Sequence, residues 1–120
     1  MRVAVAKAII VAKEAIHAAD WLDLTARQMA AILGLSATKI SRLRAGKYRL
    51  RPNGKEYELA VLFLHLCRSL DTIVGGDGPT ARAWLRNPNT SLGMVPIERI
   101  QTIRGLTDTV GYLNARCAIA

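Results

Sequence analysis

The chain has 120 residues, 51% of them hydrophobic, and carries a formal net charge of +8 at pH 7. This length and composition allow one core, shared by two small lobes at most, and exclude a disordered or low-complexity chain. The longest apolar runs, residues 8–12 and 59–64, are far shorter than the ~20 residues that span a bilayer, and no signal-peptide pattern is clear, so we expect a cytoplasmic protein.

The positive charge lies in one segment of the chain. Residues 24–55 contain eight Lys and Arg and no Asp or Glu, whereas the other 88 residues contain nine basic and nine acidic residues. Charge of one sign that is confined in this way produces a local field that attracts a polyanion. Nucleic acid is therefore the first candidate for a partner, and an anionic membrane surface is the alternative.

Helical periodicity is present along nearly the whole chain. Apolar residues recur at intervals of three and four, and no convincing alternating run of β-branched or aromatic residues occurs, so we predict an all-α fold. The first helix is predicted over residues 3–19. Its apolar stripe consists of Val5, Ile9, Ala12 and Ile16, which we expect to face the core.

Two short helices are predicted next, with a glycine between them. Thr25 and Gln28 have the spacing of a capping box at the start of the second helix, and Gly34 is expected to end it in a left-handed conformation. Ser36 is the expected N-cap of the third helix, which is predicted to end at Gly46. This arrangement is typical of a helix-turn-helix motif.

The packing residues of the two helices fit the same motif. Ala30 is small enough to let the helices cross closely, and Ile40 is placed to fill the core beneath the third helix. Residues 24–50 resemble the Xre-type helix-turn-helix of bacterial repressors, which implies that the start of the third helix lies in the major groove of operator DNA. A stabilising helix pair with a solvated basic face is the alternative.

The resemblance implies particular DNA contacts. A Lys or Arg at the start of the third helix can reach the guanine O6/N7 edge, and methyl groups beside it can touch a thymine methyl. Base contacts are expected from Ala37, Thr38, Lys39 and Arg42. Helix N-termini and flanking cations suit phosphate oxygens. Phosphate contacts are expected from Ser36, Arg44, Lys47, Arg49 and Arg51.

A turn separates the basic segment from the C-terminal half of the chain. Pro52 and the dipeptide Asn53-Gly54 are typical of a loop, and we place the domain boundary there. Residues 1–54 are predicted to form a DNA-binding domain. Residues 55–120 are predicted to form a second domain with a function of its own.

The second domain is also predicted to be helical. A long helix over residues 55–74 contains Cys67, whose apolar setting favours a reduced thiol over a disulfide. Two later prolines are expected to open shorter helices, and the last helix is predicted over residues 105–117. Trp84 and Leu85 are expected to fill the interior of this domain rather than to contact a partner.

Four motifs occur in order in the C-terminal half: RSLDTIVGGD, ARAWLRNPNTSLG, VPIERIQT and GLTDTVGYLNA. By these motifs, residues 55–120 closely resemble the toxin-binding domain of the MbcA/ParS/Xre antitoxins. With the helix-turn-helix in front, the chain resembles the antitoxin of a RES–Xre toxin–antitoxin pair. Met94 and Val95 replace a glycine and a Thr or Ser that are usual in the family, so a different loop shape and an uncapped helix at Pro96 are expected.

The resemblance also implies a mechanism. RES toxins are similar to ADP-ribosyltransferases, consume NAD, and are blocked when the C-terminal region of the antitoxin covers the NAD site. The residues after Leu113 follow the last periodic core position, and a terminal carboxylate suits an arginine that would otherwise hold an NAD phosphate. Toxin contacts are expected from Asn114, Arg116, Ile119 and Ala120. A frayed tail is the alternative.

No catalytic or metal site is predicted. His17 and His65 are isolated on apolar helices, and two His and two Cys at these spacings do not make a metal-ligand set, so we expect neither an enzyme nor a cofactor. The favoured function is an antitoxin that neutralises a RES-domain toxin and represses its own operon as a homodimer on double-stranded operator DNA, with a larger toxin–antitoxin assembly left open. The alternative is a plain dimeric repressor whose C-terminal half only dimerises.

Overall fold

The computed structural model describes residues 2–119 of the chain. Over this range it contains seven helices and no strand, which confirms the predicted all-α fold. The helices are α1 Arg2–Trp21, α2 Ala26–Leu33, α3 Ala37–Arg44, α4 Lys55–Val74, α5 Gly78–Arg86, α6 Pro96–Arg99 and α7 Ile103–Ile119. Helix α4 lies at the centre, in contact with α1, α2, α5 and α7.

Helix α1 buries a different stripe from the predicted one. Its buried residues are the alanines Ala8, Ala12, Ala15 and Ala19. The prediction was wrong for Val5, which is 37% exposed, and for Ile9 and Ile16, which lie half-buried at the edge of the contact. Alanine side chains allow α1 to approach α4 closely, and the larger residues then have room only beside the contact.

The helix-turn-helix has the predicted caps. Thr25 Oγ1 accepts from the backbone N–H of Gln28 at 3.1 Å, while Gln28 Oε1 accepts from the backbone N–H of Thr25 at 2.9 Å. Gly34 ends α2 in the left-handed region at φ 70° and ψ 30°. Ile40 is only 1% exposed, so it fills the core beneath α3 as predicted. Helix α3 itself ends at Arg44, two residues before the predicted end.

Helix α4 has the predicted bounds and supplies three of the largest fully buried side chains. Phe63, Leu66 and Leu70 have no exposed surface, and Gly75 ends the helix in a left-handed conformation. Cys67 is also buried and is a free thiol, as predicted. Burial raises the pKa of this thiol far above its usual value, because the thiolate would lose its hydration. Cys67 is therefore a packing residue and not a reactive one.

Helices α6 and α7 meet at a glycine. A Cβ atom added to Gly105 would lie 1.8 Å from the backbone carbonyl oxygen of Arg99. The guanidinium of Arg99 forms an ion pair of 2.7 Å with Asp108, one turn further along α7. Val95 provides no side-chain cap for α6, which confirms the expectation for the helix at Pro96. Only glycine at position 105 allows α6 and α7 to lie this close together.

Two arginines of α5 complete the C-terminal end of α1. Arg82 Nη1 donates to the carbonyl oxygen of Trp21 at 2.8 Å. Arg86 Nη2 donates to the carbonyl oxygens of Leu22, at 2.9 Å, and Asp23, at 2.8 Å. The last carbonyl groups of a helix have no partner within the helix, so these side chains satisfy acceptors that would otherwise need water. The contacts join the N-terminal and C-terminal halves of the chain.

Buried residues of both halves form one hydrophobic cluster, to which α4 contributes throughout its length. The division into domains at residues 54 and 55 stays a prediction. None of the helices within residues 2–119 has, by itself, the length and apolar character needed to cross a membrane. Helices α4 and α5 meet that description only when counted together, across a bend of 117°.

Candidate functional site

The four residues predicted to contact bases lie together on the exposed surface of α3. Ala37, Thr38, Lys39 and Arg42 are all exposed, whereas Ile40 and Leu43 point into the core. Ser36 Oγ accepts from the backbone N–H of Lys39 at 3.1 Å, which leaves its hydroxyl hydrogen free to donate. Neither α3 nor the loop after it contains an acidic residue, so this surface presents positive charge and hydrogen-bond donors to a partner.

The residues predicted to contact phosphate flank the end of α3. Arg44, Lys47, Arg49 and Arg51 are exposed. Arg44 differs from the others because its Nη1 lies 3.0 Å from Oδ2 of Asp20, on the last turn of α1. The hydrogen bond from Arg44 holds the pKa of Asp20 below its usual value. Part of the charge of Arg44 is therefore already compensated within the protein, and the other three cations are better placed to act on DNA.

Tyr48 is a residue of this surface that the sequence analysis missed. The Nζ atom of Lys39 lies 5.3 Å from the centre of the Tyr48 ring, within the range of a cation–π interaction. The ring therefore holds Lys39 against the loop that follows α3. A single aromatic residue within a run of Lys and Arg was the only signal for this role in the sequence.

An apolar groove of about 530 Å³ runs between α1 and the loop after α3. Its lining includes Ile9, Ile16 and Tyr48, with Lys13 and Arg49 among the charged residues. It contains no acid and no cysteine. The groove includes His17 but no carboxylate that could pair with it.

The residues predicted to contact a toxin lie at the end of α7. Asn114 Oδ1 accepts from Ser69 Oγ at 2.7 Å, and the Cys117 thiol lies 3.5 Å from the Ser69 carbonyl oxygen, so α7 is still attached to α4 here. Arg116 is exposed. The helix continues through Ile119 instead of becoming a frayed tail. The side chain of Ile119 and the whole of Ala120 lie outside the described residues.

A second group of side chains connects α5, α7 and the loop after α5. The rings of Trp84 and Tyr112 are stacked, with centroids 6.5 Å apart and planes inclined by 17°. The guanidinium carbon of Arg116 lies 5.9 Å from the Tyr112 ring centre. Leu85 is completely buried, as expected, but Trp84 is only half-buried at the edge of the core. Trp84 therefore has surface available to a partner.

Asn89, Ser91 and Arg116 lie around the Tyr112 hydroxyl, and the closest Arg116 nitrogen is 3.5 Å from it. Donation from the Asn89 side chain holds the pKa of Tyr112 below its usual value, and Ser91 and Arg116 act in the same direction, while partial burial opposes them. Asn89 Oδ1 also accepts from the backbone N–H groups of Ser91, at 2.9 Å, and Leu92, at 3.2 Å. The Asn89 side chain thus shapes the loop after α5, which lies beside the Tyr112 hydroxyl.

Within residues 2–119, no three His, Cys, Asp or Glu side chains are grouped so that they could hold a metal ion. The geometry instead provides two surfaces suited to binding, one on α3 and one around Tyr112. Two capped helices crossing at a left-handed glycine, with a basic exposed face on the second, define a helix-turn-helix protein.

Comparison with known families also indicates a helix-turn-helix protein, and it identifies the family within this class. The family model described as the antitoxin Xre-like helix-turn-helix domain matches residues 1–65, and the model of the antitoxin Xre/MbcA/ParS C-terminal toxin-binding domain matches residues 69–116. The first match covers more than half of the chain, which therefore belongs to the Xre-like antitoxin family. It is an antitoxin with a DNA-binding helix-turn-helix and a toxin-binding domain. The search of curated proteins found no match.

Proposed function

We propose that the chain neutralises a RES-domain toxin by covering its NAD site, and that it represses its own operon by binding operator DNA as a homodimer. The observation that carries this proposal is the presence of both family matches, in this order, on one chain. Its role is to bind partners and not to catalyse a reaction. Binding to operator DNA places this activity in the cytoplasm.

Neutralisation is assigned to the end of α7. Asn114 and Arg116 are exposed there, on a helix that α4 holds in place. Ile119 is proposed as an apolar plug, and the carboxylate of Ala120 as a partner for a toxin arginine that would otherwise hold an NAD phosphate. A helix held in place by α4 presents Asn114 and Arg116 at a lower entropic cost than a disordered tail would.

The test of this proposal uses the protein encoded beside the antitoxin gene, which we expect to be a RES-domain toxin. We expect the two proteins to purify together, and the complex to consume NAD far more slowly than the toxin alone. A toxin that keeps full NAD-consuming activity in the presence of excess folded antitoxin would contradict the proposal. Toxicity upon expression, with and without the antitoxin, measures the same effect in cells.

DNA recognition is assigned to α3 and the loop after it. In a homodimer, two copies of α3 should lie about 34 Å apart to enter successive major grooves of an inverted repeat. Lys39→Ala or Arg42→Ala should relax the sequence preference, because each removes a donor to a base edge. Arg49→Ala or Arg51→Ala should weaken binding to all DNA alike. Each should also lower, by about one, the steepness with which the logarithm of the binding constant falls with the logarithm of the salt concentration. Titrations of operator and unrelated DNA at several salt concentrations distinguish the two outcomes.

We also propose that the two halves divide the work, with residues 1–54 binding DNA and residues 55–120 binding the toxin. The Arg49→Ala/Arg51→Ala double variant tests this division in the full-length chain. It should lose most operator binding and still neutralise the toxin, because both arginines are exposed and remote from α7 in sequence. Loss of both activities in a variant with unchanged helix content would argue against a division at this boundary.

A further inference from the structure

We propose that the toxin docks on the surface formed by Trp84, Tyr112, Arg116 and the groove beside them, here called the Trp84 surface. On it, the toxin places a planar or apolar side chain against Trp84 and a carboxylate against Arg116. This inference rests on the proposed function and deepens it. It adds an anchoring surface, which provides affinity, to the end of α7, which covers the NAD site, and Arg116 belongs to both.

The groove beside Trp84 has the form of a receptor for one side chain. Its volume is about 260 Å³, and it lies along the last turns of α5 and the turn that follows. Its lining is Thr80, Ala83, Trp84, Asn87, Pro88 and Asn89. Tyr112 covers part of the indole by stacking, while the groove leaves another part open. An apolar or planar group of the partner can complete this contact.

Arg116 determines the charge that the partner should carry. The residue is exposed, and its Nη1 lies 3.5 Å from the Tyr112 hydroxyl, at the limit of a hydrogen bond. No Asp or Glu within residues 2–119 forms an ion pair with it. Stacking over Tyr112 orients the guanidinium without neutralising it. A carboxylate can accept two parallel hydrogen bonds from the N–H groups of such a guanidinium.

The Trp84 surface is preorganised, which favours affinity. The Tyr112 ring stacks on Trp84, and the Arg116 guanidinium lies over the Tyr112 ring, so the three side chains are already in contact before a partner arrives. Partly buried Trp, Tyr and Arg side chains are the residue types that dominate binding energy at protein interfaces. All three lie within residues 69–116, the range that matches the toxin-binding domain.

The experiment measures the affinity of the full-length antitoxin for the toxin expected to be encoded beside it. Trp84→Ala and Arg116→Ala should each weaken binding by about tenfold or more. Trp84→Phe keeps a planar ring and should stay within about threefold of the unsubstituted protein. Ile103→Ala is the matched control, because Ile103 is 67% exposed on the first turn of α7 and does not belong to the Trp84 surface. It should leave the affinity unchanged.

The outcomes also separate this inference from the function on which it rests. If the unsubstituted antitoxin does not bind the toxin, the proposed function fails. If it binds, and both Trp84→Ala and Arg116→Ala bind as tightly as Ile103→Ala, the Trp84 surface is wrong and the proposed function stands. Operator binding and helix content report on folding. If Trp84→Ala loses helix content, the affinity of Arg116→Ala is compared with that of Ile103→Ala alone, because Arg116 is exposed and its substitution should not disturb folding.

Discussion

Gly105→Ala is expected to lower the free energy of unfolding by about 3 kcal/mol. The added methyl group would lie 1.8 Å from the carbonyl oxygen of Arg99 and 2.8 Å from Thr102 Oγ1. A backbone carbonyl cannot rotate away as a long side chain can, so α6 would have to move off α7. The ion pair between Arg99 and Asp108 would be disturbed by the same movement.

Gly111→Ala is the matched control on the same helix. Gly111 lies within α7, is exposed, and has no atom within 4 Å of an added Cβ. An alanine there should stabilise the protein by about 0.5–1 kcal/mol, because it lowers the conformational entropy of the unfolded chain. Urea denaturation at constant m-value measures both changes. Shifts of the same sign for the two variants would mean that the contact between α6 and α7 is not as tight as described.

Removal of residues 117–120 is expected to weaken neutralisation of the toxin by about a hundredfold. The deletion removes the proposed plug, Ile119, and moves the terminal carboxylate by four positions. Burial of an isoleucine and one charge-assisted hydrogen bond together contribute about 3 kcal/mol, which corresponds to this factor. The last buried residue, Leu113, and the exposed Arg116 both remain. Operator binding should therefore persist, and the remaining affinity for the toxin should come from the Trp84 surface.

The NAD-consuming activity of the purified complex measures the effect of this deletion. Ile119→Ala serves as the control, because it removes the apolar side chain but keeps the length of the chain and the position of the carboxylate. An intermediate loss of inhibition is expected for it. If the shortened antitoxin still binds and inhibits the toxin fully, the end of α7 does not cover the NAD site.

Sequence reasoning succeeded where neighbouring residues determine the structure. The capping box at Thr25 and Gln28, and the helix ends at Gly34 and Gly75, depend on hydrogen bonds and backbone angles within a few residues. The same holds for the bounds of α4, whose apolar stripe is long and regular. Such features can be recognised before the packing of the chain is known.

The errors occurred where packing between distant residues determines which side chains are buried. The periodicity of α1 favoured Ile9 and Ile16 because they are the more hydrophobic residues, but close contact with α4 selected the alanines instead. Trp84 looked like a core residue, and its position at the edge depends on Tyr112, a residue of another helix. No local pattern indicates which residue will stack on which.

The contacts of Arg82 and Arg86 have a consequence for the order in which the protein is made. They join carbonyl groups at the end of α1 to side chains 61 to 64 positions later in the chain. During synthesis, the helix-turn-helix therefore leaves the ribosome with three carbonyl oxygens that no protein group yet satisfies. These acceptors find their partners only after α5 has been made. These hydrogen bonds at the end of α1 and in the turn after it are thus completed only when part of the toxin-binding domain already exists.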